Sequence, residues 1–225
     1  MKNGLLELVM ILDRSGSMQG LEADTIGGYN AMLEQQKGFE GEVLVSTVLF
    51  DHETTVLHDR VPLDKVSPLT GEDYTVRGST ALLDAVGGAV HHIAMVHKYA
   101  REEDRPAKTL FVIVTDGMEN ANRMYTYNRV KEMVERAQKE HGWEFLFLGA
   151  NMDAIGAAAG IGIRAERAVR YENDGTGVET NFRSVSRAVR GMRGRCAESP
   201  AEGIPDDWKA EIEEDLRTRG GRRRK

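Results

Sequence analysis

The chain has 225 residues, 40% of them hydrophobic, with one cysteine and a formal net charge of −6, a size that supports one sizeable core and one domain with an extension. Six of the 30 basic residues crowd the last nine positions, leaving 24 against 36 acidic ones, a net −12, for residues 1–216. So acidic a body lacks the basic face that neutralises phosphates, which argues against nucleic-acid binding outside the tail.

The lone Cys196 has no internal disulfide partner and fits no spaced zinc pattern, so a reducing, cytoplasmic setting is expected. No apolar stretch approaches the roughly 20 residues of a membrane helix. The first apolar run, 5–12 (LLELVMIL), is interrupted by Glu7 and closed by Asp13 without a small-residue cleavage site. It reads as a buried strand instead of a signal peptide.

A helical stretch over 22–37 follows, then strands over 42–50 and 54–61. Only Asp51, His52 and Glu53 join those two strands. That is too short for a crossover and predicts an antiparallel hairpin at the sheet edge. The helix over 80–99 is apolar nearly all round, and Gly87 and Gly88 within it suggest close packing of its backbone against the sheet. His91, His92 and His97 on this helix lack the i, i+4 spacing of a ligand pair and read as partly exposed structural residues. A strand over 109–115 leads to a helix over 126–141, where Val130, Met133, Val134 and Ala137 share one face. A strand over 143–149, a short helix near 153–160, a strand over 168–171 and a helix over 177–191 complete the alternation.

The runs 5–12, 109–115 and 143–149 are apolar on both faces, as central parallel strands are. The predicted fold is α/β: a doubly wound, mostly parallel six-stranded sheet with one antiparallel edge strand and helices on both faces. After Gly194 the chain turns to Pro200, Gly203 and Pro205 among charged residues. This divides it into a domain over 1–194 and a flexible charged tail over 195–225. Within the tail a short helix is possible over 206–219, begun by Asp206 and Asp207 and carrying Trp208, Ile212 and Leu216 on one stripe.

Asp13-Arg14-Ser15-Gly16-Ser17 stands where the first strand ends. One carboxylate and two hydroxyls at alternate positions can converge as hard oxygen ligands, with Gly16 allowing a tight turn between them. Thr80, opening the second long helix, and Asp116, ending the fourth strand, would complete an oxygen-only set for one divalent cation. In a doubly wound sheet the carboxyl ends of the central strands meet at one crevice.

In these three motifs, D-x-S-x-S at Asp13, Ser15 and Ser17, the lone Thr80, and the T-D-G Asp116, the chain resembles the von Willebrand factor type A family over roughly residues 5–191. The resemblance implies a metal-ion-dependent adhesion site, with Mg2+ favoured by abundance and Mn2+ or Ca2+ also suited to the oxygen set. It implies a protein-binding module whose cation takes an Asp or Glu carboxylate from a partner. By the same resemblance the partner could be an AAA+ ATPase or belong to a stress-response system. Arg14, Arg77 and Arg123 flank the ligand segments as a possible positive rim or as plain surface, and Glu119 and Asn120 could adjust the metal from behind or lie in a solvated loop.

Two other functions stay open on sequence alone. A metal-dependent hydrolase needs a base, and none is evident: Ser15 stands where a haloacid dehalogenase-type phosphatase has its second Asp, and neither a G-x-S-x-G elbow nor a phosphate-binding loop is present. Gly160-Ile161-Gly162 follows an Ala-rich helix where a dinucleotide fingerprint follows a strand. Alternatively the metal is structural, and the basic RGGRRRK end contacts RNA or an anionic surface.

Overall fold

A computed structural model describes residues 1–150, 153–194 and 203–220. Its six-stranded sheet has the order β3-β2-β1-β4-β5-β6. The strands are β1 (Lys2–Asp13), β2 (Glu42–Phe50), β3 (Thr54–Pro62), β4 (Pro106–Thr115), β5 (Glu144–Ala150) and β6 (Ala168–Tyr171). Only β3 is antiparallel, paired to β2 through the three-residue connection. The helices are α1 (Glu22–Lys37), α2 (Leu82–Tyr99), α3 (Tyr127–His141), α4 (Ala154–Gly160), α5 (Gly175–Gly194) and α6 (Ala210–Gly220).

Strand alternation decides which helices lie where. Leu6, Leu8, Met10 and Leu12 of β1 join a buried cluster with α1, α5 and α6. Val9 and Ile11 face the opposite cluster, built from α2, α3 and α4. Because both faces are covered, β1, β4 and β5 can be apolar throughout. A charged exception in mid-strand is Glu7, fully buried in β1, whose carboxylate meets Arg60 Nε and His97 Nε2, each at 2.6 Å. His97 also lies edge-on to Trp143, with ring centroids 5.3 Å apart, and so has a structural role. His92 meets Asp59 at the surface.

Helix ends follow local chemistry. In α3, Thr126 caps the N-terminus by accepting from the Arg129 amide, and Gly142 ends the helix in the left-handed region at φ 64°. Helix α2 begins two residues later than the sequence suggests because Thr80 is withheld from it. The Thr80 amide donates to Asn120 Oδ1 at 2.8 Å and the Ala81 amide to the Asp51 carbonyl at 2.8 Å. Gly87 makes room for the Tyr125 ring, 2.5 Å from where a Cβ would stand, and not for a strand, while a Cβ on Gly88 would meet nothing within 4 Å.

The described part of the segment set apart by sequence as a flexible tail is packed. Trp208 is fully buried, Ile204 and Ile212 are nearly so, and all three belong to the α1–α5 core cluster. The Trp208 indole donates to the Glu166 carbonyl at 3.0 Å. Charge dominates the composition there, but it sits on the outer face: Glu211 reaches Arg183 and Arg187 of α5. The apolar stripe is free to dock inward. Cys196 and the terminal RRRK lie outside the described residues.

Candidate metal centre

The chain leaves β1 outward to β2 and later returns on the other side of β1 as β4. The switch point of the sheet therefore lies between β1 and β4, and Asp13 and Asp116 stand at the carboxyl ends of these two strands. Asp13 is fixed on three sides. Its Oδ1 accepts from the Ser15 amide at 2.7 Å, its Oδ2 from Thr115 Oγ1 at 2.5 Å, and its backbone carbonyl from the Tyr74 hydroxyl.

Beyond Asp13 the chain makes a short 3-10 turn over Gly16–Met18, and that turn is tied to the loop before α2. The Gly16 amide donates to the Gly78 carbonyl at 3.1 Å and the Arg77 amide to the Arg14 carbonyl at 3.0 Å. Gly78 adopts φ 68°, and His52 packs over it so closely that a Cβ would stand 2.2 Å from the ring. Only glycine meets both conditions.

Four of the five expected ligand side chains form an unbroken chain. Thr80 Oγ1 donates to Ser15 Oγ at 3.0 Å, the Ser15 and Ser17 hydroxyls lie 3.0 Å apart, and Ser17 Oγ donates to Asp116 Oδ1 at 2.5 Å. The fifth, Asp13, joins through the Ser15 amide. Gly117 closes the cradle: a Cβ there would fall 2.8 Å from Thr80 Oγ1 and 3.3 Å from Ser17 Oγ.

Burial pushes the Asp13 carboxyl up to about 6, against the hydrogen bonds of Thr115 and Ser15, and the charge of Asp116 adds to the rise. Asp116 is raised as well, chiefly by burial, despite hydrogen bonds from Ser17 and Asn173. Among the described residues, no cationic side chain contributes to either carboxyl. Two desolvated carboxylates and three hydroxyls without a compensating positive charge fit a hard divalent cation, which takes oxygen donors and supplies that charge.

The arginines behave differently from a positive rim. Arg14 is buried and turned away from the ligands: its Nε meets Asp51 Oδ2 at 2.9 Å, and its other nitrogens reach Thr55 Oγ1 and the Asp73 carbonyl. Arg77 places its own Nε on the same Asp51 oxygen at 3.0 Å and also meets Glu53. Burial raises the Asp51 carboxyl, but the Arg77 hydrogen bond, the Glu53 amide and the two guanidinium charges outweigh it, and the group stays below its usual range. Asp51, His52 and Glu53 present three ligand atoms within 4.8 Å of one another, yet the charge of this group is already spent on arginine. Of the three flanking arginines only Arg123 is exposed without a side-chain ion pair among the described residues.

Glu119 and Asn120 divide. Asn120 holds Thr80 at both ends, accepting from its amide and donating to its carbonyl at 3.0 Å. Glu119 touches no ligand; it accepts from the Leu83, Ala121 and Asn122 amides and fastens the loop to the start of α2. Sequence reasoning missed Asn173, whose Nδ2 donates to Asp116 Oδ2 at 3.0 Å. Its one signal is position: it follows the carboxyl end of β6, on the same rim of the sheet.

A family model described as "VWA domain containing CoxE-like protein" matches residues 3–144, more than half of the chain. Similar solved structures include a von Willebrand factor type A protein from Catenulispora acidiphila, 14% identical with a TM-score of 0.56, covering 83% of this chain and 42% of that one. The PilB minor pilin from Streptococcus sanguinis is 10% identical with a TM-score of 0.58, covering 82% and 61%. Proximal thread matrix protein 1 from the mussel byssus, with a zinc-occupied MIDAS motif, is 16% identical with a TM-score of 0.53, covering 85% and 46%. The chain thus spans less than two thirds of each, and at these identities the likeness speaks for the fold. No curated protein matches the chain in sequence. Among the described residues, no helix is long and apolar enough to cross a membrane.

Proposed function

The chain belongs to the von Willebrand factor type A family, and from that premise we propose that it is a metal-dependent protein-binding module. Asp13, Ser15, Ser17, Thr80 and Asp116 would hold one divalent cation, Mg2+ by abundance, with Mn2+ or Ca2+ suited to the same donors. The zinc reported for the mussel protein's motif supports a divalent ion without fixing which one. Two anionic ligands balance the ion's charge, and the cation supplies an electrophilic position to an Asp or Glu carboxylate of a partner.

One observation carries this reading. Asp13 and Asp116, on adjacent central strands, are desolvated with hydroxyl and amide partners and, among the described residues, no cationic one. Apart from one another, the side chains of the five ligands meet the Ser15 amide, the Thr115 hydroxyl and the Asn173 amide, while Tyr74 and Asn120 hold the backbone of Asp13 and Thr80. None is a base at neutral pH, which supports binding over hydrolysis. An AAA+ ATPase or a stress-response protein in the cytoplasm is the first partner to test by family resemblance.

The deciding experiment joins titration calorimetry with Mg2+ and a pull-down read by mass spectrometry with and without EDTA. Wild type is expected to bind one ion and Asp13→Ala none, and the partner is expected to leave with the metal. Equal heats from both proteins, or a partner retained in EDTA, would remove the reading. Turnover of a generic phosphate ester that vanishes in Asp13→Ala would move the assignment to a hydrolase.

A further inference from the structure

Nine large apolar side chains are exposed among the described residues. Four of them, Met118, Met124, Tyr127 and Ile155, lie on segments leaving the carboxyl ends of β4 and β5. This is the end of the sheet that carries Asp13 and Asp116. Apolar side chains scattered singly over a surface are ordinary, but four on the segments that leave the site's own end of the sheet point to contact with something.

The loop bearing the two methionines is held, not slack. The amides of Arg123, Met124 and Tyr125 all donate to the Asp84 carboxylate, at 2.7, 2.9 and 2.9 Å. Glu119 takes the Ala121 and Asn122 amides at 2.7 Å each and the Leu83 amide at 2.6 Å. The Asn122 side chain closes onto the Tyr125 carbonyl at 2.7 Å. The segment between Asp116 and α3 is thereby fastened to the first turns of α2, with Met118 and Met124 left 69% and 76% exposed.

Gly117, against Thr80 Oγ1, places Met118 two residues from the ligand Asp116. Tyr127 leans toward α4, its ring 3.6 Å from where a Gly160 Cβ would stand, and α4 carries Ile155. Most charges nearby are already committed, Asp84 and Glu119 to amides and Arg14 and Arg77 to Asp51; Arg123, in the loop itself, is the exposed exception.

We propose that this apolar rim is a docking surface continuous with the metal centre, and that its occupant is a protein segment whose acidic residue is flanked by aliphatic or aromatic side chains. The inference rests on the metal-dependent reading above and adds the selectivity that reading lacks. A cation alone accepts any exposed carboxylate, and the one uncommitted charge in the rim, Arg123, attracts acidic segments without regard to their apolar flanks. Apolar area can, and methionine adapts its shape to varied apolar neighbours. Because the loop is already anchored, contact with Met118 and Met124 costs little further ordering of backbone.

The test uses the full chain, labelled at its methionine methyl groups and titrated in Mg2+ and again in EDTA. The probes are three capped tripeptides: Leu-Asp-Leu, Gly-Asp-Gly and Leu-Asn-Leu. Leu-Asp-Leu is expected to bind about tenfold or more tighter than Gly-Asp-Gly and to shift the Met118 and Met124 methyl signals, while Leu-Asn-Leu does not bind. In the double variant M118S/M124S both acidic peptides are expected to bind equally, at the wild-type Gly-Asp-Gly level, with Mg2+ affinity unchanged.

Equal affinity of wild type for the two acidic peptides, or a preference surviving in the double variant, overturns the apolar rim and leaves the metal reading standing. Acidic peptides that fail to bind in Mg2+, that bind equally in EDTA, or that bind no better than Leu-Asn-Leu overturn the metal reading and the rim together.

Discussion

Asn173 donates its side-chain amide to Asp116 Oδ2 at 3.0 Å, so the loop between β6 and α5 orients one of the two carboxylates of the metal centre. The neighbouring Asp174 holds the start of α5 through the Gly177 amide and pairs with Arg219 of α6. Partners that orient metal ligands typically change affinity by about 10- to 100-fold when removed. Asn173→Ala is therefore expected to weaken Mg2+ binding by about tenfold in calorimetry while moving the metal-free melting temperature little. An unchanged dissociation constant would show that Asp116 is positioned without it.

Asp51 bridges two guanidiniums, one of them on the buried Arg14. Removing one partner of a buried pair strands the other charge and costs about 3–5 kcal/mol. Asp51→Asn is expected to lower stability by that order at pH 7, read by urea unfolding. The pH dependence has a definite sign. The folded carboxyl titrates below its usual value, so its stabilisation is complete above the ordinary range near 4 and disappears as pH falls through the lower folded value. The gap between wild type and variant should narrow in acid; a constant gap would mean that the charge of Asp51 is not what matters.

Trp208 sits in the core with Ile204 and Ile212, so the segment beyond residue 202 carries stability. Trp→Ala changes in cores cost about 3–5 kcal/mol, and at this chain length each kcal/mol is about 2–4 °C. Trp208→Ala, and likewise truncation at Gly194, is expected to lower the melting temperature by about 10 °C or more. A truncated chain that melts within a few degrees of full length would return the segment to the status of a dispensable tail.

These sites show what could be read in advance and what could not. The strand runs, the edge hairpin and the place of Asp13, Ser15, Ser17, Thr80 and Asp116 were legible because each depends on local pattern: apolar alternation, a three-residue connection, a motif at a strand end. Asn173 and Asp51 were not, because their roles exist only once distant loops meet. Arg14 and Arg77 leave the expected rim for the same reason: proximity in sequence to a ligand says nothing about which way a long side chain turns, and both turn to Asp51. The tail was misjudged because composition averages over faces, and three apolar residues on one stripe outweigh the charges on the other.

Asp13 supplies the sharpest contrast between stability and function. Its carboxyl is raised to about 6 by burial, so in the metal-free protein its charge works against the fold above that pH. Asparagine fits the same place: its oxygen can accept from the Ser15 amide, and its NH2 can donate to Thr115 Oγ1, a hydroxyl able to reverse its role. Asp13→Asn is therefore expected to melt higher than wild type in EDTA at pH 7.5, by about 1–3 kcal/mol of added stability, and to lose all response to Mg2+. Wild type in EDTA should itself gain stability from this group as pH falls from 7 toward 4, the reverse of Asp51, because a raised carboxyl stabilises the fold in its protonated form. Scanning calorimetry in EDTA and in Mg2+ separates the possibilities. If the variant melts lower than wild type without metal, burial does not penalise the Asp13 charge as its raised carboxyl implies; if it still responds to Mg2+, the ion binds elsewhere.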